Sequence, residues 1–245
     1  FPFIPNLWDE GNNLLTAPVT LITGQSTIGS SAGTLTFGGG IGVSGTLGLT
    51  LTGSGNVVIT GDGLGAVAGL TKFGSGKVTV GAPSPNFSAA LTLHRGVFEI
   101  SGAGLFGAGT ASIGVNPGAV LRVDNSAQAI NDRLGGALRS LTLSNGVFEY
   151  IANAFSPSSE SFSTLVHQWG LNTIRVSTTN QPTLLNFNAL NLTSGGATML
   201  LEALGTGASF GTPSNTVLLG GAPPMTNGLL PRWVVADGNG LNFAT

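Results

Sequence analysis

The chain has 245 residues, 41% hydrophobic but only 7% charged, with a formal net charge of −2. That hydrophobic content excludes disorder for want of a core, and eight scattered basic residues cannot displace the counterions of a nucleic acid, which needs clustered Lys and Arg. The 40 glycines follow no three-residue period and there is no cysteine, which excludes collagen, disulfides and a thiolate zinc site.

The first segment, residues 1–17, is an atypical lead with two prolines, Trp8 and the pair Asp9-Glu10. Its start, Phe-Pro-Phe-Ile-Pro-Asn, carries neither a basic region nor an apolar one of signal-peptide type, and reads as a mature or excised product. Residues 18–150 form a regular Gly-rich array. Within it Leu35 and Phe37, Leu47, Leu49 and Leu51, Val78 and Val80, Leu91 and Leu93, Phe98 and Ile100, Ile113 and Val115, Leu121 and Val123, and Leu141 and Leu143 alternate with polar or small residues. Period-two alternation marks strands with one buried and one wet face. The best helical window, residues 125–138, is weakened by Gly135-Gly136. Residues 151–245 are less regular and richer in proline, yet strand-like runs recur at 173–176, 183–187, 199–201 and 217–219. No run of 18 apolar residues exists, so no transmembrane helix is expected.

Hairpin dipeptides are sparse: Asp62-Gly63, Asn145-Gly146, Asn227-Gly228 and Asp237-Gly238. Short strands separated by corners rather than hairpins favour a solenoid over a sandwich. The expected fold is all-β, a single-stranded parallel, right-handed β-helix (β-solenoid). At about 20–25 residues per coil it has about ten short coils and a length of roughly 50 Å.

The stretch Gly69-Leu70-Thr71-Lys72-Phe73-Gly74-Ser75-Gly76-Lys77-Val78-Thr79-Val80, followed by Asn86-Phe87 and Arg95-Gly96-Val97-Phe98, resembles the autotransporter-associated β-strand repeat. Pro83, Pro85 and Ser88-Ala89-Ala90 depart from its pattern and suggest a bulged corner. Residues 28–37 resemble the coil that precedes such repeats, and Asn131-Asp132-Arg133-Leu134 with residues 141–150 the coils that follow. The tail at 226–235 and 243–245 is similar to a segment of very large bacterial repeat proteins. The resemblance implies a parallel β-helix and an exported, extracellular or cell-surface location, and carries over no catalytic residue.

No residue earns a catalytic, cofactor or metal role. His94 and His167 stand 73 residues apart (167 − 94) and read as polar corner residues. Asp124, Asp132 and Glu149 fall within about one coil, but a solvated face explains them more simply than a glycosidase pair. Glu99 and Glu149 each follow a Val-Phe step, which predicts equivalent outward positions on different coils, paired with Arg95 or Arg122. The terminal coils present strand edges that this weakly charged chain does little to block. The candidate self-association residues are therefore Phe1, Phe3, Ile4 and Trp8 at one end and Trp233 and Phe243 at the other. The expected function is a structural subunit of an extracellular filament, sheath or scaffold, partnered head-to-tail by copies of itself. The alternative is an adhesin-type module contacting glycans or a cell surface, and after it a polysaccharide-degrading enzyme.

Overall fold

A computed structural model describes residues 6–22, 24–44, 47–177, 180–192, 196–205, 208–212 and 214–221, and the backbone of two further strands, Trp233–Asp237 and Gly240–Phe243. Among the described residues there is no helix. The chain winds as a parallel β-solenoid of about eight turns, close to the ten expected. Each turn visits three faces. The first face stacks Gly48–Thr52, Gly69–Lys72, Ala90–Leu93, Ile113–Val115, Ser140–Leu143, Thr164–His167 and Leu190–Leu192. The second stacks Asn56–Ile59, Lys77–Val80, Gly96–Ile100, Ala119–Asp124, Val147–Ile151, Leu171–Ser177 and Thr198–Leu204. Leu7–Leu15 and Ser26–Phe37 are long strands that run through both faces at the start. The third face holds shorter ladders: Val19–Leu21 on Ile41–Val43, Pro83–Ser84 on Leu105–Phe106, and Ser158–Phe162, Thr183–Phe187 and Thr216–Leu219.

Alternation puts one set of side chains inside every coil, and register stacks them in columns. On the second face Leu35, Val57, Val78, Phe98, Leu121, Phe148, Ile174 and Leu201 lie one above another, all buried. On the first face Leu49, Leu70, Leu91, Ile113, Leu141 and Leu165 do the same. On the third, Phe162 and Phe187 stack at 5.2 Å, 9° from parallel. Each such side chain contributes roughly 1.5–3 kcal/mol by leaving water. Coils are 21 residues long where the pattern is tightest, from Leu49 to Leu70 to Leu91 (70 − 49 and 91 − 70). They lengthen to 27 residues between Leu121 and Phe148 (148 − 121), where residues 125–138, the best helical window of the sequence, form a loop, and to 34 between Leu201 and Val235 (235 − 201).

The corner between first and second faces explains the glycines. Gly53, Gly74 and Gly96 take positive φ there, which costs glycine nothing. At Gly76 a Cβ would stand 1.9 Å from the Gly55 carbonyl oxygen of the coil below. Gly76→Ala is therefore expected to lower unfolding stability by about 3 kcal/mol, read from the shift of a urea midpoint.

One 18-stranded sheet runs from Leu7–Leu15 to Gly240–Phe243, so the regular and irregular zones of the sequence share a ladder. It ends on an antiparallel pair: Trp233–Asp237 adds in parallel to Thr198–Leu204, and Gly240–Phe243 turns back along it, with Asp237 opposite Gly240. Of the sequence's hairpin dipeptides, the one that begins at Asp237 thus marks a reversal. Gly63 and Asn145 instead take positive φ at corners. Asn227-Gly228 lies outside the described residues.

Candidate functional site

The outer side of the second face carries a ladder of alternating charge. Glu99, Arg122, Glu149, Arg175 and Glu202 occupy one register position on five successive coils. Arg122 bridges two carboxylates, its Nε donating to Glu149 at 2.6 Å and its Nη1 to Glu99 at 3.2 Å. Arg175 repeats the arrangement, 2.6 Å from Glu202 and 4.0 Å from Glu149, and Lys77 closes the other end at 3.2 Å from Glu99. Partial burial opposes the Arg122 charge, but the hydrogen bonds and charges of Glu149 and Glu99 outweigh it and raise its pKa. A one-coil slip would set like charges against each other, so the ladder fixes register. The Glu99–Glu149 equivalence read from the sequence is present, with Arg122 as the shared partner. Arg95 plays a different part, its carbonyl accepting from Lys72. Arg122→Ala, which leaves two carboxylates facing one gap, is expected to cost about 1 kcal/mol, less in high salt, by parallel urea titrations at low and high ionic strength.

Three cations are buried instead of exposed. Lys72 replaces an aliphatic residue in the first-face column between Leu51 and Leu93. Its Nζ reaches the corner and donates to the carbonyls of Arg95 at 2.9 Å and Gly74 at 3.0 Å, and burial pulls its pKa down to about 8. Arg133 donates to Asn125 Oδ1 and to the carbonyls of Gly104, Gly102 and Gln128. Arg139 donates to the carbonyls of Ala89 (2.7 Å), Ala111 (3.2 Å), Phe87 (3.3 Å) and Gly107 (3.4 Å), with its guanidinium 5.8 Å from the Phe87 ring. Burial lowers the pKa of both guanidinium groups. These groups tie coils together at corners where no ladder can form.

The interior also holds an acid. Glu160 is fully buried on the third face. Its Oε1 accepts the Leu134 N–H at 3.2 Å, and its Oε2 has no hydrogen-bond partner. Burial, and then the charge of Asp132, push its pKa up to about 8. Tyr150, raised to about 12 mainly by burial, accepts from Asn125 Nδ2 at 2.8 Å beside it. The acids considered for glycoside chemistry serve elsewhere. Glu149 is in the outer ladder, Asp124 accepts the Ser126 N–H, and Asp132 turns a corner at φ 53°. His94 stacks on Phe73 at 4.3 Å. His167 corrects the expectation of a polar corner: it is 2% exposed and stands in the same inner column as Lys72, where burial lowers its pKa. Among the described residues no three acids or histidines converge as a metal site.

The ends carry the residues singled out for association. Trp8 lies in the first rung, its ring over Gly29, where a Cβ would come within 2.2 Å of it. It is 46% exposed, and its indole N–H donates to Glu10. Asp9 beside it is buried, accepting from Asn13 and Ser30. Trp233 pairs with Met199 in the ladder, and Phe243 sits opposite Val234. Phe1, Phe3 and Ile4 lie outside the described residues. Near the far end lies a groove of about 410 Å³ on the outer third face that no sequence motif marks, walled by Pro157, Pro182, Leu184 and Leu218.

No protein family, curated protein or solved structure matches this chain. Its geometry is the ground for a functional reading.

Proposed function

We propose that the chain is a structural subunit of an extracellular filament, sheath or cell-surface scaffold that stacks end to end. The observation that carries this reading is the state of the terminal rungs. Among the described residues Leu7–Leu15 has one ladder neighbour, Ser26–Phe37, and Leu190–Leu192 and Thr216–Leu219 have one each, while the second face ends on the antiparallel pair of Trp233–Asp237 and Gly240–Phe243. Such edges offer N–H and C=O groups to another strand, and proteins that stay apart block them, most often with charge. Here the largest charge cluster lies along the side, neutralised within the outer ladder. An end-to-end contact joins two different surfaces, so it continues into a filament unless its rotation closes a ring. The extracellular setting is supported by the resemblance of residues 69–98 to exported repeats. No described helix is long and apolar enough to cross a membrane.

Sedimentation velocity and negative-stain electron microscopy over a concentration series test the reading. The expected result is rods that lengthen with concentration, with a repeat near one solenoid of about 40 Å. Uniform short rods at every concentration would remove it. A second reading, glycan contact, draws on the exposed Trp8 and Trp169 rings, and predicts instead a monomer that binds on a glycan array.

A further inference from the structure

The third-face groove has a shape and chemistry that fit one segment of the chain itself. Its walls, Pro157, Pro182, Leu184 and Leu218, come from the last three third-face strands and the residues leading into them, with Asn131 and Thr216 also lining it. None of these six carries a charge, and Leu218 is 49% exposed. Phe155, on the loop before Pro157, is 86% exposed. Water is a poor occupant for an apolar trough of this size.

We propose that residues 1–5 of a second copy, Phe-Pro-Phe-Ile-Pro, lie in this groove and join successive subunits; the proposal rests on the end-to-end reading above. The segment carries no ionisable side chain, and its two prolines have no N–H to leave unpaired against an apolar wall. Asn6 is fixed to the second rung by reciprocal 2.7 Å hydrogen bonds with Thr27 at the start of the first face.

Distance decides between the same copy and another. Five extended residues span about 17 Å. From Leu7–Leu15 to the coil of Ser158–Phe162 the first-face ladder climbs through residues 26–29, Gly48–Thr52, Gly69–Lys72, Ala90–Leu93, Ile113–Val115 and Ser140–Leu143. Those six steps amount to about 29 Å at the strand spacing, beyond the reach of the chain's own lead. In an end-to-end stack the lead of the following copy begins within about three rungs of the groove, or roughly 14 Å.

The absence of cysteine makes disulfide trapping a clean test. Chains carrying Ile4→Cys are mixed with chains carrying Leu218→Cys, oxidised mildly, and the linked peptides are identified by mass. Leu14→Cys, a more exposed apolar position (61% against 49%) at the other end, replaces Leu218→Cys as the control. The expected result is at least a tenfold excess of the Ile4–Leu218 link over the Ile4–Leu14 link, and loss of association when residues 1–5 are deleted or Leu184→Glu is introduced. Equal linkage, or association that survives the deletion, overturns the proposal and leaves the end-to-end reading standing. A wild-type chain that sediments as a monomer at every concentration removes both.

Discussion

Arg139→Ala is expected to destabilise the solenoid by about 4 kcal/mol, among the largest effects of any single side-chain truncation in the chain. The guanidinium is fully buried and serves carbonyls at 87, 89, 107 and 111, on the two coils that precede its own. Truncation strands those carbonyls away from water at once, removes the contact with Phe87, and leaves a cavity the size of the side chain. Each orphaned buried acceptor costs about 1–3 kcal/mol, with partial relief from water entering the space. Arg139→Lys is expected to recover less than half of the loss, because one ammonium replaces a planar fork with donors aimed in several directions. Urea unfolding followed by circular dichroism measures both variants. The midpoint should fall while the slope stays constant, since the same surface is exposed on unfolding. A loss under about 1 kcal/mol for Arg139→Ala would mean that the corner carbonyls find other donors.

The columns that make the solenoid were legible because period two survives in every strand from Leu35 to Leu143. The expected coil length of about 20–25 residues holds from Leu49 to Leu91, where coils are 21 residues long, and is exceeded between Ile113 and Leu141 (141 − 113). The outer charge ladder was half legible. The Val-Phe-Glu steps at 97–99 and 147–149 announced equivalent places, but Arg122 and Arg175 occupy the same place in differently spelled strands, Leu121-Arg122-Val123 and Ile174-Arg175-Val176. The inward polar groups were written in the alternation too. Lys72 shares parity with Leu70, His167 with Leu165, and Glu160 with Phe162, so each had to point inward with its partner. Residue type alone, which puts most Lys and Glu at surfaces, does not reveal this. Lys72 is compatible with the core because its apolar stem fills the column while its ammonium emerges at the glycine corner. That geometry also accounts for the Lys-x-Gly-x-Gly spelling of residues 72–76. Arg133 and Arg139 lie in an aperiodic loop, and nothing in local sequence fixes which carbonyls a loop arginine will find. The groove depends on three strands of different spelling coming into register, which only the folded ladder reveals.

Stability is expected to fall as pH rises from about 6.5 to about 8, and Glu160→Gln is expected to abolish that fall. Glu160 keeps its proton in the folded protein up to about 8, whereas the unfolded chain releases it near 4.5. Between those values the unfolded state binds fewer protons than the folded one, so unfolding becomes easier with each step in pH. The stabilisation present below 4.5 is lost as pH passes through the folded value, for a total on the order of 3–5 kcal/mol. Three other buried groups bear on the profile. His167, lowered by burial, acts in the opposite sense below about 6.5, where its unfolded form takes up a proton, which is why the diagnostic window starts there. Lys72 has its folded value depressed to about 8 from 10.5, so its contribution makes stability rise from about 8 to about 10.5. Tyr150, held up at about 12, is raised above its unfolded value, and its contribution falls only from about 10 upward. The charged neighbours of Glu160 are Asp132, which raises its pKa, and Arg133, which lowers it. The wild-type profile should therefore pass through a minimum near pH 8. Glu160→Gln keeps an acceptor for the Leu134 N–H and supplies a neutral group at every pH, so the falling limb should vanish while the rising limb from Lys72 remains. Urea midpoints of both chains at half-unit steps from pH 5 to 10 decide the matter. A wild-type profile flat between 6.5 and 8, or a variant that keeps the slope, would show that Glu160 is ionised in the fold, with its second oxygen reached by water.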